Sequence, residues 1–253
     1  MNKGVLITLI AICAIVFSVS AYKLISYYSA DRAAEKEFAE LTPEGLSSKD
    51  GKDGYDIPDE YDSLLPYYKE LREQNGDMVG WLRIPRTRIS YPVMQTPDSP
   101  EYYLDKNFKK EFTANGSLFV NSINDVELPS DVVTIYGHRM KTGAMFGTLG
   151  DYLDADFMAE HDTIILDTFT GRNVYKVYCA FTLDVGIADV FDYYNYTNFA
   201  VVDMFDRFMG RAAGLAAAEN PAYKPVFGDK VLLLSTCEYT HSNGRLVVLA
   251  VRE

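Results

Sequence analysis

Three residues able to perform nucleophilic acyl chemistry stand beside short apolar runs of this chain: Cys237, His138 and Arg245. Cys237 lies just past Lys230 to Ser235 (KVLLLS), a run that reads as a strand, so its sulfur is expected at a sheet rim, where a reactive group gains both rigidity and access. Taken alone, the position suits a core cysteine equally well, since free thiols are commonly buried. His138 follows Asp131 to Tyr136 (DVVTIY), and Gly137 permits a sharp turn between strand and imidazole. An imidazole titrates near working pH, so it can hold the proton of a thiol and later deliver one to a leaving amine. Arg245 opens Arg245 to Val251 (RLVVLAV) and lies across the Thr240 to Gly244 turn from Cys237, next to it if the two strands form a hairpin. A guanidinium fixed there can bind the oxyanion produced when a thiolate attacks a carbonyl. Singly, His138 reads as a satisfied structural histidine and Arg245 as a surface arginine; their shared placement at strand ends favours chemistry. His161, at a helix end, and His241, in the polar loop, fit the structural reading.

The remaining cysteines bound the chemistry further. Cys13 sits in an apolar stretch as a small hydrophobe, and Cys179 and Cys237 belong to no CxxC pair, so neither a disulfide framework nor a structural zinc site is expected. A Cys179–Cys237 bridge is open from sequence, and it would abolish the nucleophile. No metal or other cofactor is expected. The net charge of −12, without any basic run, argues against a nucleic-acid partner.

Positioning these groups requires a rigid scaffold, and 253 residues with 48% hydrophobic content can bury one. Glu60 to Glu73 carries apolar residues at helical spacing and ends at Asn75-Gly76. Strands are expected over 79–84, 89–94, 116–121 and 131–136, then a hairpin over 163–167 and 173–183 after short helices near 145–153 and 156–160. Thr197 to Ala218 is the longest helical pattern, and Asn220-Pro221 stops it. With the last two apolar runs this gives about eight short strands, and the scarcity of helices between them points to a mostly antiparallel, closed β-barrel.

The N-terminus has a separate character. Val5 to Tyr22 runs without a charge, about the minimum length for a spanning helix, and Tyr22, Tyr27 and Tyr28 follow like an interfacial belt. Val19-Ser20-Ala21 resembles a signal-peptidase site, but the uninterrupted apolar length favours a retained anchor in the cytoplasmic membrane. Lys3 on one side and Lys23, Arg32 and Lys36 on the other leave orientation undecided by charge. Asp31 to Glu40 can extend as a short helix, and Leu41 to Ile57 is polar and Gly-rich. The expected organisation is an anchor over 1–28, a polar stalk over 29–57 and a catalytic domain over 58–253.

The YGH segment, the LSTC segment Leu234 to Cys237 about a hundred residues later, and an Arg at the start of the following strand resemble the signature of the sortase family. Tyr136 to Tyr152, the helical insertion at 197–218 and the helix before Trp81 resemble its class B branch. The resemblance implies a mostly β, sortase-type closed barrel with an N-terminal helix and a long helix inserted before the penultimate strand. It also implies cysteine transpeptidation outside a Gram-positive type of membrane. His138, Cys237 and Arg245 fall on the catalytic positions, and Leu104, Tyr136, Ser235 and Glu238 match positions lining the class B substrate groove. The family mechanism has a thiolate attack a Thr carbonyl within a C-terminal sorting motif of a secreted protein, and an amine resolve the thioacyl enzyme. The acceptor is a peptidoglycan precursor or, alternatively, a pilin lysine. Leu233 stands where the family usually has Thr. A catalytically silent, membrane-anchored binding domain is the rival from another class, and a papain-like hydrolase is disfavoured because its His follows its Cys.

Overall fold

The structure, a computed structural model, describes residues 3–42, 61–187, 190–238 and 243–253, with the side chains of 27, 30, 31, 237 and 238 excepted. His241 and most of the expected polar stalk lie outside the described residues. In chain order the elements are α1 (Lys3–Glu40), α2 (Tyr61–Gln74), β1 (Met78–Arg83), β2 (Ser90–Met94), β3 (Leu118–Val120), β4 (Val132–Tyr136), α3 (Ala155–Glu160), β5 (Thr163–Thr168) and β6 (Arg172–Asp184). They are followed by α4 (Val202–Leu215), β7 (Ala216–Glu219), β8 (Val231–Glu238) and β9 (Gly244–Arg252), with short 3-10 turns over Tyr102–Leu104, Leu149–Leu153 and Tyr193–Asn195.

The sheet runs β5-β1-β2-β3-β4-β8-β9-β6, and the β5–β6 pairing closes it into a barrel, leaving β7 on the outside along β6. Closure removes the exposed edges that an open sheet would carry. Most pairs are antiparallel, as the short connections require, but β2–β3 and β4–β8 run parallel.

Why β8 and β9 are apolar at nearly every position is clear from their two faces. Leu232, Leu234, Leu246, Val248 and Ala250 fill the barrel, whereas Val231, Leu233, Val247, Leu249 and Val251 pack outward into a second apolar cluster. That outer cluster is roofed by α4, whose Phe205, Phe208, Met209 and Ala212 recur at helical spacing and are buried. A strand covered on both sides loses the polar alternation of a half-solvated one. Leu233 is fully buried in this layer.

Two helices differ from expectation. The helix expected over 197–218 is shorter at both ends: it begins only at Val202, and at its far end Ala216–Glu219 pairs with Phe181, Ala180 and Cys179 as β7, where ladder pairing overrides the helical preference of an alanine run. At the other end of the chain, Asp31 to Glu40 is not a separate helix but the last part of α1, which continues unbroken from the apolar N-terminal run. Ala34, Phe38 and Leu41 are buried in the barrel's apolar cluster. The Phe38 ring meets Tyr91 edge-on at 5.2 Å, and Asn107 Nδ2 donates to Glu37 Oε2 at 2.7 Å. Burying such an apolar face stabilises the contact by a few kcal/mol at about 25 cal/mol per Å².

Candidate active site

Register brings the sequence-predicted residues together. β4 and β8 lie side by side in parallel with Tyr136 opposite Ser235, and the Gly137 N–H donates to the Ser235 carbonyl at 3.2 Å. Beyond that pair β4 ends, and β8 continues through Thr236, Cys237 and Glu238 against β9. Cys237 and His138 therefore each lie two residues past one paired position, at the same end of the barrel. Across β8, Cys237 is directly opposite Arg245, as the hairpin reading requires, and Glu238 is opposite Gly244.

His138 is held through its main chain and its ring. Its carbonyl accepts from the Phe146 N–H at 3.0 Å, and ring Nε2 lies 2.7 Å from the Leu104 carbonyl oxygen. A carbonyl only accepts, so Nε2 carries the proton and the lone pair of the neutral ring sits on Nδ1. Gly137 serves differently than the sequence suggests. Its φ is not positive; instead, a Cβ there would come within 2.4 Å of Leu118 Cδ2 and 2.8 Å of Phe146 Cδ2. Close packing under the histidine, and not a left-handed turn, requires the glycine.

The Leu104 carbonyl is itself set by Gly116. This residue has φ +57°, and a Cβ on it would lie 2.4 Å from the Leu104 oxygen and 2.8 Å from the Tyr103 oxygen. The next residue, Ser117, donates its N–H to Tyr103 O at 2.9 Å. Gly116→Ala is therefore expected to push the Leu104 peptide off His138. Peptide cleavage should fall by roughly a hundredfold, as misplacement by about an ångström can cause, with a shifted pH–rate profile. Wild-type rate and pH profile in this variant would show that the carbonyl does not set the ring.

Of the residues expected to line a groove, Leu104 is exposed and Tyr136 half-buried. The Tyr136 hydroxyl accepts from Asn121 Nδ2 at 3.2 Å. Burial pushes its pKa up, against the pull of the nearby Arg245 charge. Arg245 is partly buried, and its Nη1 donates to the Gly244 carbonyl at 3.0 Å. Ser235 is wholly buried, and its Oγ shares a 2.7 Å hydrogen bond with the Tyr193 hydroxyl, so it braces the rim from behind. Tyr193, Asn121 and Gly116 escaped the sequence reading; only the Asn115-Gly116 turn dipeptide signalled one of them. His161 is occupied elsewhere: its Nδ1 lies 3.0 Å from the Phe157 carbonyl and its ring stacks on Phe157 at 4.1 Å.

The alternative fate of Cys237, a bridge to Cys179, is excluded by register. Cys179 is opposite Leu249 and Cys237 opposite Arg245, four residues apart along β9 and on its two different neighbours. Such positions are separated by about 13 Å along the strand alone, beyond the roughly 7 Å that a disulfide can span. Cys179 is a buried free thiol whose pKa burial pushes up to about 12. A thiol reagent applied to the native protein near neutral pH should leave Cys179 unmodified until denaturant is added, which peptide mass mapping checks. Native-state labelling of Cys179 would contradict its burial.

A family model, the sortase domain, matches residues 82–253. A sortase B from Listeria monocytogenes is 32% identical over 182 residues, covering 71% of each chain. Among solved structures, a sortase B of Bacillus anthracis superposes with a TM-score of 0.71 at 28% identity over 89% of this chain and 98% of its own. A Staphylococcus aureus sortase B–substrate complex gives 0.68 at 26% identity, over 76% of this chain and 91% of its own. With the closed barrel and the strand-end arrangement, these matches place the chain in the sortase family. Within that family it is a class B sortase, a cysteine transpeptidase.

Proposed function

We propose that the chain is a membrane-anchored transpeptidase that cuts a C-terminal sorting motif of secreted proteins and joins them to an amine of a peptidoglycan precursor. The observation that carries this reading is the register that sets Cys237 opposite Arg245 and beside the His138 turn. The Cys237 thiolate attacks the Thr carbonyl of the motif, and the oxyanion forms near the Arg245 guanidinium and the Glu238 N–H. His138, its Nε2–H held by Leu104, exchanges a proton through Nδ1. It protonates the departing amine of the downstream segment, then takes a proton from the acceptor amine that attacks the thioester. Leu104 and Tyr136 line the groove with the Glu238 segment, while Ser235 supports it through Tyr193.

The apolar part of α1, Lys3–Ser26, with a mean hydropathy of 2.6, spans the cytoplasmic membrane, and the barrel faces the outside. The likeness to a Staphylococcus aureus sortase B–substrate complex supports a substrate-binding role for this chain as well. The test is to incubate the full chain, in bilayer discs, with a library of peptides carrying NPxTN- or xPxTG-like motifs and no amine acceptor. Mass mapping is expected to find the upstream half of the preferred peptide on Cys237. An adduct on another residue, or none with any peptide, overturns the mechanism.

A further inference from the structure

Residues 105–115, which connect the Tyr102–Leu104 turn to β3, form a closed and rooted turn. Lys106 and Phe112 bridge antiparallel, the Asn107 N–H donates to Glu111 O at 2.9 Å, and the Thr113 N–H donates to Asp105 O at 3.0 Å. Its inner side is fixed by three contacts. Phe108 is buried and its carbonyl accepts from Asn75 Nδ2 at 2.7 Å, Lys110 Nζ pairs with Asp77 at 2.7 Å, and Asn107 bonds Glu37 of α1. The outer side is unlike an ordinary surface turn. Phe112 is 74% exposed, with the Lys106 ammonium 5.4 Å from its ring centroid, and Lys109 is exposed with its charge near Glu37 of α1.

The place of this aromatic is informative. Phe112 and Thr113 line one cleft of about 600 Å³ together with Tyr22, Lys23 and Ser26 of α1. Those three residues close the apolar window Lys3–Ser26. An aromatic side chain exposed at the level where an apolar helix leaves the bilayer has the chemistry of an interfacial anchor, an apolar body among lipid chains beside cations among phosphates.

We propose that the 105–115 turn is a second membrane contact: Phe112 inserts into the headgroup layer, with Lys109 and Lys23 on lipid phosphates. The proposal rests on the reading of Lys3–Ser26 as a span. Since Leu104, at the root of this turn, holds His138, the contact fixes the height of the groove above the lipid.

The test uses the full chain carrying Phe112→Trp in phosphatidylcholine/phosphatidylglycerol vesicles whose acyl chains are brominated near the headgroup. Trp81, the native tryptophan, is fully buried and supplies a constant background. Phe227→Trp, exposed beyond the opposite end of β8, serves as the control. Emission from Trp at 112 should drop about twofold on brominated lipid, as for an interfacial aromatic, while the control matches the background. Flotation of the vesicles separates the two readings. A chain that does not float defeats the span and this contact with it; one that floats with an unquenched probe at 112 defeats the contact alone. A probe at 112 that responds only to added sorting peptide, or to protein concentration, assigns this face to a peptide or to a second copy and overturns the proposal.

Discussion

Cys237→Ala and His138→Ala should each reduce cleavage of a quenched sorting-motif peptide by at least about a thousandfold, because groups that act as one unit fail together when either is removed. For the same reason the double variant should be barely worse than either single one. The thiol supplies the bond-forming atom, and without it no thioester can form. The imidazole has two duties, and its ring is held by the Leu104 carbonyl and its backbone by Phe146. His161→Ala is the control. That ring is spent on the Phe157 carbonyl and on stacking, so activity should stay within about twofold of wild type while stability falls slightly. Retention of cleavage by Cys237→Ala would refute the mechanism outright.

The largest stability effect is expected at Asp167. Its side chain is fully buried and accepts from Arg83 Nη2 at 2.5 Å, Arg172 Nε at 2.8 Å and the Tyr68 hydroxyl at 3.2 Å. One carboxylate thereby ties β1, β5, β6 and α2 together where the barrel closes. The Arg83 side chain is itself 2% exposed, and its Nε and Nη1 are buried without hydrogen-bond partners among the described residues, so Asp167 is the counter-charge on which it depends. Asp167→Ala leaves that guanidinium buried with its counter-charge gone and should lower unfolding free energy by about 3–5 kcal/mol, read from the urea midpoint. Arg83→Met combined with Asp167→Leu should be milder, because removing both charges removes the desolvation penalty as well. A midpoint for Asp167→Ala within about 0.5 kcal/mol of wild type would mean that water reaches the site and the pair is not buried in solution.

Much of this was legible in the chain. The eight barrel strands follow from β-branched and aromatic runs broken by Pro, Gly, Asn and Asp, and the Cys237–Arg245 pairing follows from a short polar turn between two apolar runs. Local pattern cannot show which distant groups meet. Tyr193 reaches Ser235 across 42 positions, and Leu104 reaches His138 through a carbonyl that every residue possesses. The alanine run Ala216 to Ala218 misled for a related reason: its helical preference is weak per residue, and pairing with β6 outweighs it. Likewise Ala34, Phe38 and Leu41 carry a helical stripe that looks unremarkable until the barrel supplies its partner.

That unbroken α1 makes the protein a rigid lever. At about 1.5 Å per residue its 38 residues measure about 57 Å; one end is wedged into the barrel, and on the proposed membrane-anchored reading the other lies in the bilayer. A span tilts to match the thickness of its membrane, and here the tilt is carried straight to the barrel without a joint between. On that reading, lipid thickness is a determinant of which way the groove points.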